Sequence, residues 1–91
     1  MAQLGMDADA IEHLGRQLRD GIAPQIADLI NSINGVVGNM EKSWWGPDAQ
    51  AFCHQWWPQH KKELHDAFMA IQGLGQSALN NAHDQRTVSG S

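Results

Sequence analysis

The sequence predicts an all-α fold, an antiparallel helix-turn-helix hairpin that pairs with a second hairpin into a four-helix bundle dimer. Two observations predict it: apolar residues recur every three or four positions over two long segments, and a short Trp-Trp-Gly-Pro stretch separates them. Ninety-one residues allow a single domain, residues 1–91. We expect a first helix over about 7–43, a turn at 44–47, a second helix over about 47–84 and a frayed tail at 85–91.

The first segment has one apolar stripe at helical intervals, and residues spaced in this way share one face of a helix. The members of the stripe are Ile11, Leu14, Leu18, Ile22, Ile26, Leu29, Ile33, Val36 and Met40. Asp7 or Asp9 can cap the start, because a carboxylate accepts hydrogen bonds from the N–H groups that the first turn leaves unpaired. Pro24 lies inside the segment while the stripe keeps its phase, which predicts a kink and not a break.

The second segment repeats this pattern after the turn. Its stripe consists of Ala49, Cys53, Trp56, His60, Leu64, Ala67, Ile71, Leu74 and Ala78. Gly46 can take the positive φ that a tight reversal needs, and Pro47 can then occupy the first helical position. Pro58 predicts a second kink, with a helix that restarts at Pro58 as the alternative.

Each predicted helix has a second apolar stripe beside the first. These second stripes consist of Ala23, Ile30 and Val37 in the first helix and of Phe68, Leu79 and Ala82 in the second. The combined faces are wider than a contact between two helices requires, so several apolar side chains would stay wet on a single hairpin. This width predicts association. We assign the packing of the core and of the dimer to Leu18, Ile22, Ile26, Leu29, Ile33, Phe52, Trp56, Leu64, Ile71 and Leu74.

Composition excludes several classes of function. The chain has 10 acidic and 6 basic residues and a net charge of −4, whereas binding to nucleic acid or to anionic lipid needs clustered Lys and Arg. No apolar run has the length of a membrane span, so we expect no stable membrane insertion. The single cysteine, Cys53, allows no internal disulfide, and we expect it to be a small buried apolar residue.

The residues with chemical potential do not form a catalytic or metal-binding pattern. His54 and His60 lie nearly opposite each other across the predicted helix, and no triad, paired-carboxylate pocket or cofactor motif occurs. We therefore predict no enzyme activity, no metal and no cofactor. His60 lies on the apolar stripe, which predicts a core or interface histidine that can make assembly pH-sensitive.

The four tryptophans form two adjacent pairs. Trp44 and Trp45 are expected to pack on the helix ends at the turn, and Trp44 alternatively to line a surface cleft. Trp56 lies on the stripe and is predicted to be a core or interface residue. Trp57 points to a different face, and we expect it to be partly buried.

The tripeptide Trp44-Trp45-Gly46 fits the pattern Trp-X-Gly near the middle of a chain of about ninety residues, and Phe52 follows Gly46 by six positions. The chain therefore resembles the WXG (Trp-X-Gly) family of small type VII secretion proteins, of the early secretory antigen type. The resemblance implies a homodimer or a heterodimer with another WXG-type protein. It also implies export by the type VII ATPase machinery without a cleaved signal peptide, from the cytoplasm to the outside. Trp44 and Gly46 match the recognition motif.

One departure from the family pattern concerns the export signal. Members that carry this signal have a Tyr-X-X-X-Asp/Glu element after the second helix, and the dimer presents turn and tail together at one bundle end. The sequence has no tyrosine, and its corresponding stretch runs from Asn80 to Arg86. We expect a non-enzymatic secretion substrate or export co-partner. The alternatives are an intracellular chaperone or adaptor for a larger type VII toxin or effector, and a membrane-perturbing amphipathic protein.

Overall fold

The structure, a computed structural model, describes residues 5–90, which form two antiparallel helical arms and contain no strand. The first arm comprises α1 (Ala8–Arg16), a π-helical segment (Gln17–Ile22) and α2 (Ala23–Glu41). The hairpin measures 66 × 17 × 16 Å. The predicted all-α hairpin is confirmed.

The second arm follows the same plan as the first. It comprises α3 (Pro47–Ala51), a π-helical segment (Phe52–Trp56) and α4 (Trp57–Gly90). Gly46, which precedes it, has φ 103° and is the positive-φ residue of the turn. Pro47 begins the arm, as the sequence predicts.

The N-terminal cap of the first arm is Asp7. The backbone N–H of Ala10 donates to Asp7 Oδ1 at 3.1 Å, so the carboxylate satisfies one of the N–H groups that a first helical turn leaves unpaired. Of the two candidate caps in the sequence, Asp7 has this role, and Asp9 lies within the first turn.

Each internal proline lies two residues after the end of a π-helical segment. Just before Pro24, the N–H of Ala23 donates to the carbonyl of Leu18, five residues back. Just before Pro58, the N–H of Trp57 donates to the carbonyl of Phe52 in the same way. The wider turn leaves room for a proline ring that an α-helical turn would exclude. Each arm is therefore continuous through its proline, and the alternative of a helix restarting at Pro58 is wrong.

The core between the arms consists largely of small side chains. Its buried apolar residues are Ala23, Ile30, Val37, Ala49, Cys53, Trp57 and Ala82. In the first arm this core uses the second stripe of the sequence, while five residues of the longer first stripe are exposed and four are half-buried, among them Ile33, which packs against the core. The burial of Cys53, 5 % exposed, confirms the prediction for that residue.

The half of the hairpin near the termini is narrow because two glycines meet there. A Cβ atom added at Gly75 would lie 2.7 Å from the backbone oxygen of Gly15 and 2.7 Å from the backbone nitrogen of Arg19. Side chains at either glycine would push the arms apart, so these positions set the spacing of the two backbones.

The second helix extends further than the sequence predicts. Instead of ending near residue 84, α4 runs to Gly90; the frayed tail expected at 85–91 stays a prediction, and Ser91 lies outside the described residues. Two contacts explain the extension. Ala82 is fully buried against the first arm, and the Arg86 guanidinium donates to the carboxylates of Asp9 and Glu12 in α1. Packing and ion pairs thus hold the last turns, which propensity alone would leave frayed.

Candidate interaction surface

An apolar face runs along the outside of the hairpin. In the first arm it contains Leu14, Ile22, Leu29, Val36 and Met40, which are between 40 % and 55 % exposed. In the second arm Trp56 and Leu74 are 50 % and 56 % exposed. We call these seven residues the apolar face. Single exposed apolar residues are ordinary, but a row of this length is typical of an interaction site.

None of the ten residues assigned to packing is buried in the single hairpin. Four of them are exposed, namely Ile22, Leu29, Trp56 and Leu74. Six are half-buried, namely Leu18, Ile26, Ile33, Phe52, Leu64 and Ile71. Ile33, Phe52 and Leu64 pack against the core of the hairpin, and the role of the ten residues in a dimer stays a prediction.

The arms separate near the turn and leave an apolar groove of about 440 Å³ between them. The first arm lines it with Ile33, Val36, Val37 and Met40. The second arm lines it with Phe52, Trp56, Trp57, His60, Glu63 and Leu64. A cleft of this size accepts side chains of another molecule, and its lining is almost wholly apolar.

An aromatic ladder joins the turn to this groove. The rings of Trp44 and Phe52 lie 5.5 Å apart, those of Phe52 and Trp56 are stacked at 5.2 Å, and those of Trp56 and His60 are stacked at 4.0 Å. Because the last three lie one turn apart along one helix, their rings form a continuous column. Successive ring contacts therefore connect the Trp-X-Gly turn with the lining of the groove.

His60 has a defined hydrogen bond within the ladder. Its Nδ1 atom lies 2.8 Å from the carbonyl oxygen of Trp56, and because a carbonyl only accepts, Nδ1 carries the hydrogen. The ring is half-buried. The sequence predicts a core or interface histidine here; in the single hairpin His60 is half-buried and not part of the core, and an interface role stays a prediction.

The tryptophan pairs differ from the prediction at two positions. Trp45 is 78 % exposed, so the expectation that it packs on the helix ends is wrong, whereas Trp44 is 40 % exposed and rests on Phe52. Trp57 is only 5 % exposed, so the expectation of partial burial is wrong for this residue. Its indole N–H donates to Asn34 Oδ1 at 3.1 Å, which gives a buried donor its partner across the arms.

Around Trp57 and near the turn, polar side chains of the two arms contact each other. Asn34 Oδ1 also accepts from Lys61 Nζ at 3.4 Å, and His54 Nε2 lies 3.3 Å from Glu41 Oε1 near the turn. Burial is the main cause that raises the pKa of the Cys53 thiol, with the Glu41 carboxylate adding to it. A thiol in this state is a poor nucleophile, in agreement with a packing role.

Among the histidines, cysteines, aspartates and glutamates of residues 5–90, no three side chains come together as a metal site would require. No helix in this range is both long enough and apolar enough to cross a membrane.

Comparisons of the chain with protein-family models, with characterised proteins and with solved structures give no match.

Proposed function

We propose that this protein is a non-enzymatic substrate or export co-partner of a type VII secretion system and acts as a helical dimer. The observation that carries the proposal is the aromatic ladder, which connects the Trp-X-Gly turn to an open apolar groove. A hairpin that only had to fold would not keep this column and the face beside it in water. Pairing with itself or with another WXG-type protein would cover them.

The exposed area supports pairing. The hairpin exposes 6506 Å², whereas a compact monomer of 10.0 kDa exposes about 5,200 Å². The elongated shape accounts for part of the difference. Even so, the difference of about 1,300 Å² is larger than the roughly 800 Å² that each partner contributes to a standard interface.

The two halves of the hairpin differ. The half near the termini is narrow, since Gly15 and Gly75 bring the backbones together, and its leucines Leu14 and Leu74 are exposed. The half near the turn holds the groove. An antiparallel pair would place these leucines of one chain opposite the groove of the other, and two-fold symmetry would form each contact twice.

The same orientation would join the two parts of the recognition surface that the resemblance implies. Within one chain they are far apart, because Arg86 binds α1 at the terminal end while Trp44 lies at the turn, in a molecule 66 Å long. Only the tail of a second chain can lie beside the turn of the first. Antiparallel pairing would supply it.

Secretion assays test the proposal. The chain is expressed in a type VII-competent host, and cytosol and medium are analysed separately, with Trp44→Ala as the variant and Trp45→Ala as its matched control. We expect Trp44→Ala to lower export while the protein stays folded, and Trp45→Ala to have a smaller effect, since Trp44 belongs to the ladder. Equal export of wild type and Trp44→Ala would contradict the proposal.

The missing tyrosine favours a second candidate, an intracellular chaperone or adaptor for a larger type VII effector. With no tyrosine in the sequence, a homodimer would present the Trp-X-Gly turn twice and the tyrosine element never. The location of the protein distinguishes the two, since a chaperone stays in the cytosol whereas a co-partner reaches the medium, and deletion of neighbouring family genes in the host tests whether export needs a partner. Loss of export on deletion of these genes would support dependence on a partner. Secretion without any partner, together with its loss when residues 83–91 are removed, would refute that dependence.

A further inference from the structure

A second cavity lies beside the groove near the turn, an open cleft of about 460 Å³. Phe52 and Trp56 line both cavities, and Trp44 lines the cleft alone. We propose that this cleft binds the guanidinium group of an arginine side chain from a partner protein, between the aromatic rings and the carboxylate of Asp48. This partner is distinct from the hairpin that would cover the groove, so binding at the cleft goes beyond the proposed function.

Aromatic rings form the apolar part of the cleft. The rings of Trp44 and Phe52 lie 5.5 Å apart and are tilted by 49°, whereas those of Phe52 and Trp56 are stacked 5.2 Å apart and nearly parallel, at 11°. Both tryptophans are exposed. A cation is attracted to the face of an aromatic ring, most strongly to that of tryptophan, and a guanidinium group also stacks on such a face. The cleft therefore offers two exposed indole rings to a cation.

Asp48 gives the cleft its charge. It is the one ionisable residue of the lining, whose other polar members are the uncharged Gln55 and Gln59. Among the described residues Asp48 forms no ion pair, whereas Glu41 and Asp66 pair with His54 and Lys62. An exposed carboxylate beside tryptophan rings, with no basic side chain in the same lining, is complementary to a positively charged group.

The acceptors of the cleft favour arginine over lysine. A guanidinium group presents five N–H donors in one plane, and a carboxylate can accept two of them side by side. The amide oxygens of Gln55 and Gln59, which lie one helical turn apart, can accept others. A lysine ammonium is a compact charge that cannot lie flat on a ring. Flat aromatic surface and several acceptors together therefore match an arginine side chain.

The test titrates N-acetylarginine methylamide into the isotope-labelled full chain and follows the indole N–H signals of the four tryptophans by NMR. We expect saturable shifts at Trp44 and Trp56. Trp57, which is buried, and Trp45, which does not line the cleft, are internal controls and should shift little. The citrulline analogue keeps the shape without the charge and should bind about tenfold more weakly, the loss expected for a hydrogen bond to a charged group. The lysine analogue keeps the charge without the planar group and should also bind more weakly than arginine.

Asp48→Asn should weaken binding of the arginine analogue about tenfold for the same reason. Asp28→Asn is the matched control, because it removes an equal charge from an exposed residue of α2 outside the cleft, and it should bind as the wild type does. Asp48 also lies in the first turn of α3, where a carboxylate favours the helix dipole. An unchanged Trp57 indole signal and circular dichroism spectrum therefore check that the variant is folded.

Equal binding of the arginine and citrulline analogues, or of the arginine analogue to wild type and Asp48→Asn, would overturn the inference. Equal binding of the lysine analogue would overturn the assignment to arginine. No shift at Trp44 and Trp56 would mean that the cleft does not bind the guanidinium group. Because these measurements use the isolated protein, a negative result here is distinct from unchanged export of Trp44→Ala, which would contradict the proposed function.

Discussion

Gly15 and Gly75 meet backbone to backbone where the two arms cross. A Cβ atom on Gly75 would lie 2.7 Å from the Gly15 carbonyl oxygen, and one on Gly15 would lie 3.0 Å from the Gly75 carbonyl oxygen. Both contacts are with backbone atoms, which cannot rotate away as a side chain can. The narrow half of the hairpin therefore depends on the absence of side chains at these two positions.

Gly75→Ala should lower the free energy of unfolding by about 1–3 kcal/mol, because the backbones must separate to admit the methyl group. The control is Gly73→Ala, two residues away, where an added Cβ would meet no atom within 4 Å. The free energy of unfolding of that variant should rise by about 0.5–1 kcal/mol, since alanine has a higher helix propensity than glycine. Urea unfolding at one protein concentration measures both. Equal effects of the two variants would mean that the close approach contributes nothing to stability.

The helical periodicity predicts both arms and their turn, but not the π-helical segments, although the stripe contains a sign of one. Leu14, Leu18, Ile22 and Ile26 follow one another at intervals of four, and the π-helical segment Gln17–Ile22 lies within this run. A π-helical turn has about one residue more than an α-helical turn, so intervals of four stay on one face there. Three successive intervals of four in the sequence therefore indicate a local departure from α-helical geometry.

The same effect explains the wrong expectation for Trp57. After Ala49 and Cys53, a purely α-helical pattern continues at Trp56, so the periodicity predicts that residue on the packing stripe. The π-helical segment Phe52–Trp56 adds a residue, so the next buried position is Trp57. Its partner Asn34 could not be predicted, because an exposed asparagine in a helix gives no sign of which residue on another arm it will contact.

Gly46→Ala should destabilise the hairpin by about 1–3 kcal/mol, since Gly46 has φ 103° and ψ −177°, a region that only glycine occupies readily. An added Cβ meets no atom within 4 Å, so the cost is one of backbone conformation and not of space. Gly38→Ala is the control, in open space within α2 and without a positive φ. Thermal unfolding compares them, and a Gly46→Ala protein as stable as the wild type would show that the turn can adopt another conformation.

Replacing each tryptophan by alanine should lower the stability of the protein in proportion to the burial of that tryptophan in the hairpin. Trp57→Ala removes a 5 % exposed ring and should cost about 3–5 kcal/mol. Trp45→Ala removes a 78 % exposed ring and should change stability by less than about 0.5 kcal/mol. Urea unfolding, followed by circular dichroism, measures the series at one protein concentration. A large loss in Trp45→Ala would reveal a contact that the single hairpin lacks.

Arg86→Gln should lower stability at neutral pH and leave it unchanged in acid. The Arg86 guanidinium donates to Glu12 at 2.8 Å and holds the pKa of that carboxyl below its ordinary value of 4.5. A group whose pKa is lowered by folding stabilises the folded state above its ordinary value, and it loses this contribution as the pH falls through the lowered one. Urea midpoints of wild type and Arg86→Gln should therefore differ at neutral pH and converge in acid. Lys62→Gln, which removes an exposed pair with Asp66 inside one helix, is the control and should have little effect at either pH. A difference for Arg86→Gln that persisted in acid would assign its effect to packing of the arginine stem and not to the bond with Glu12.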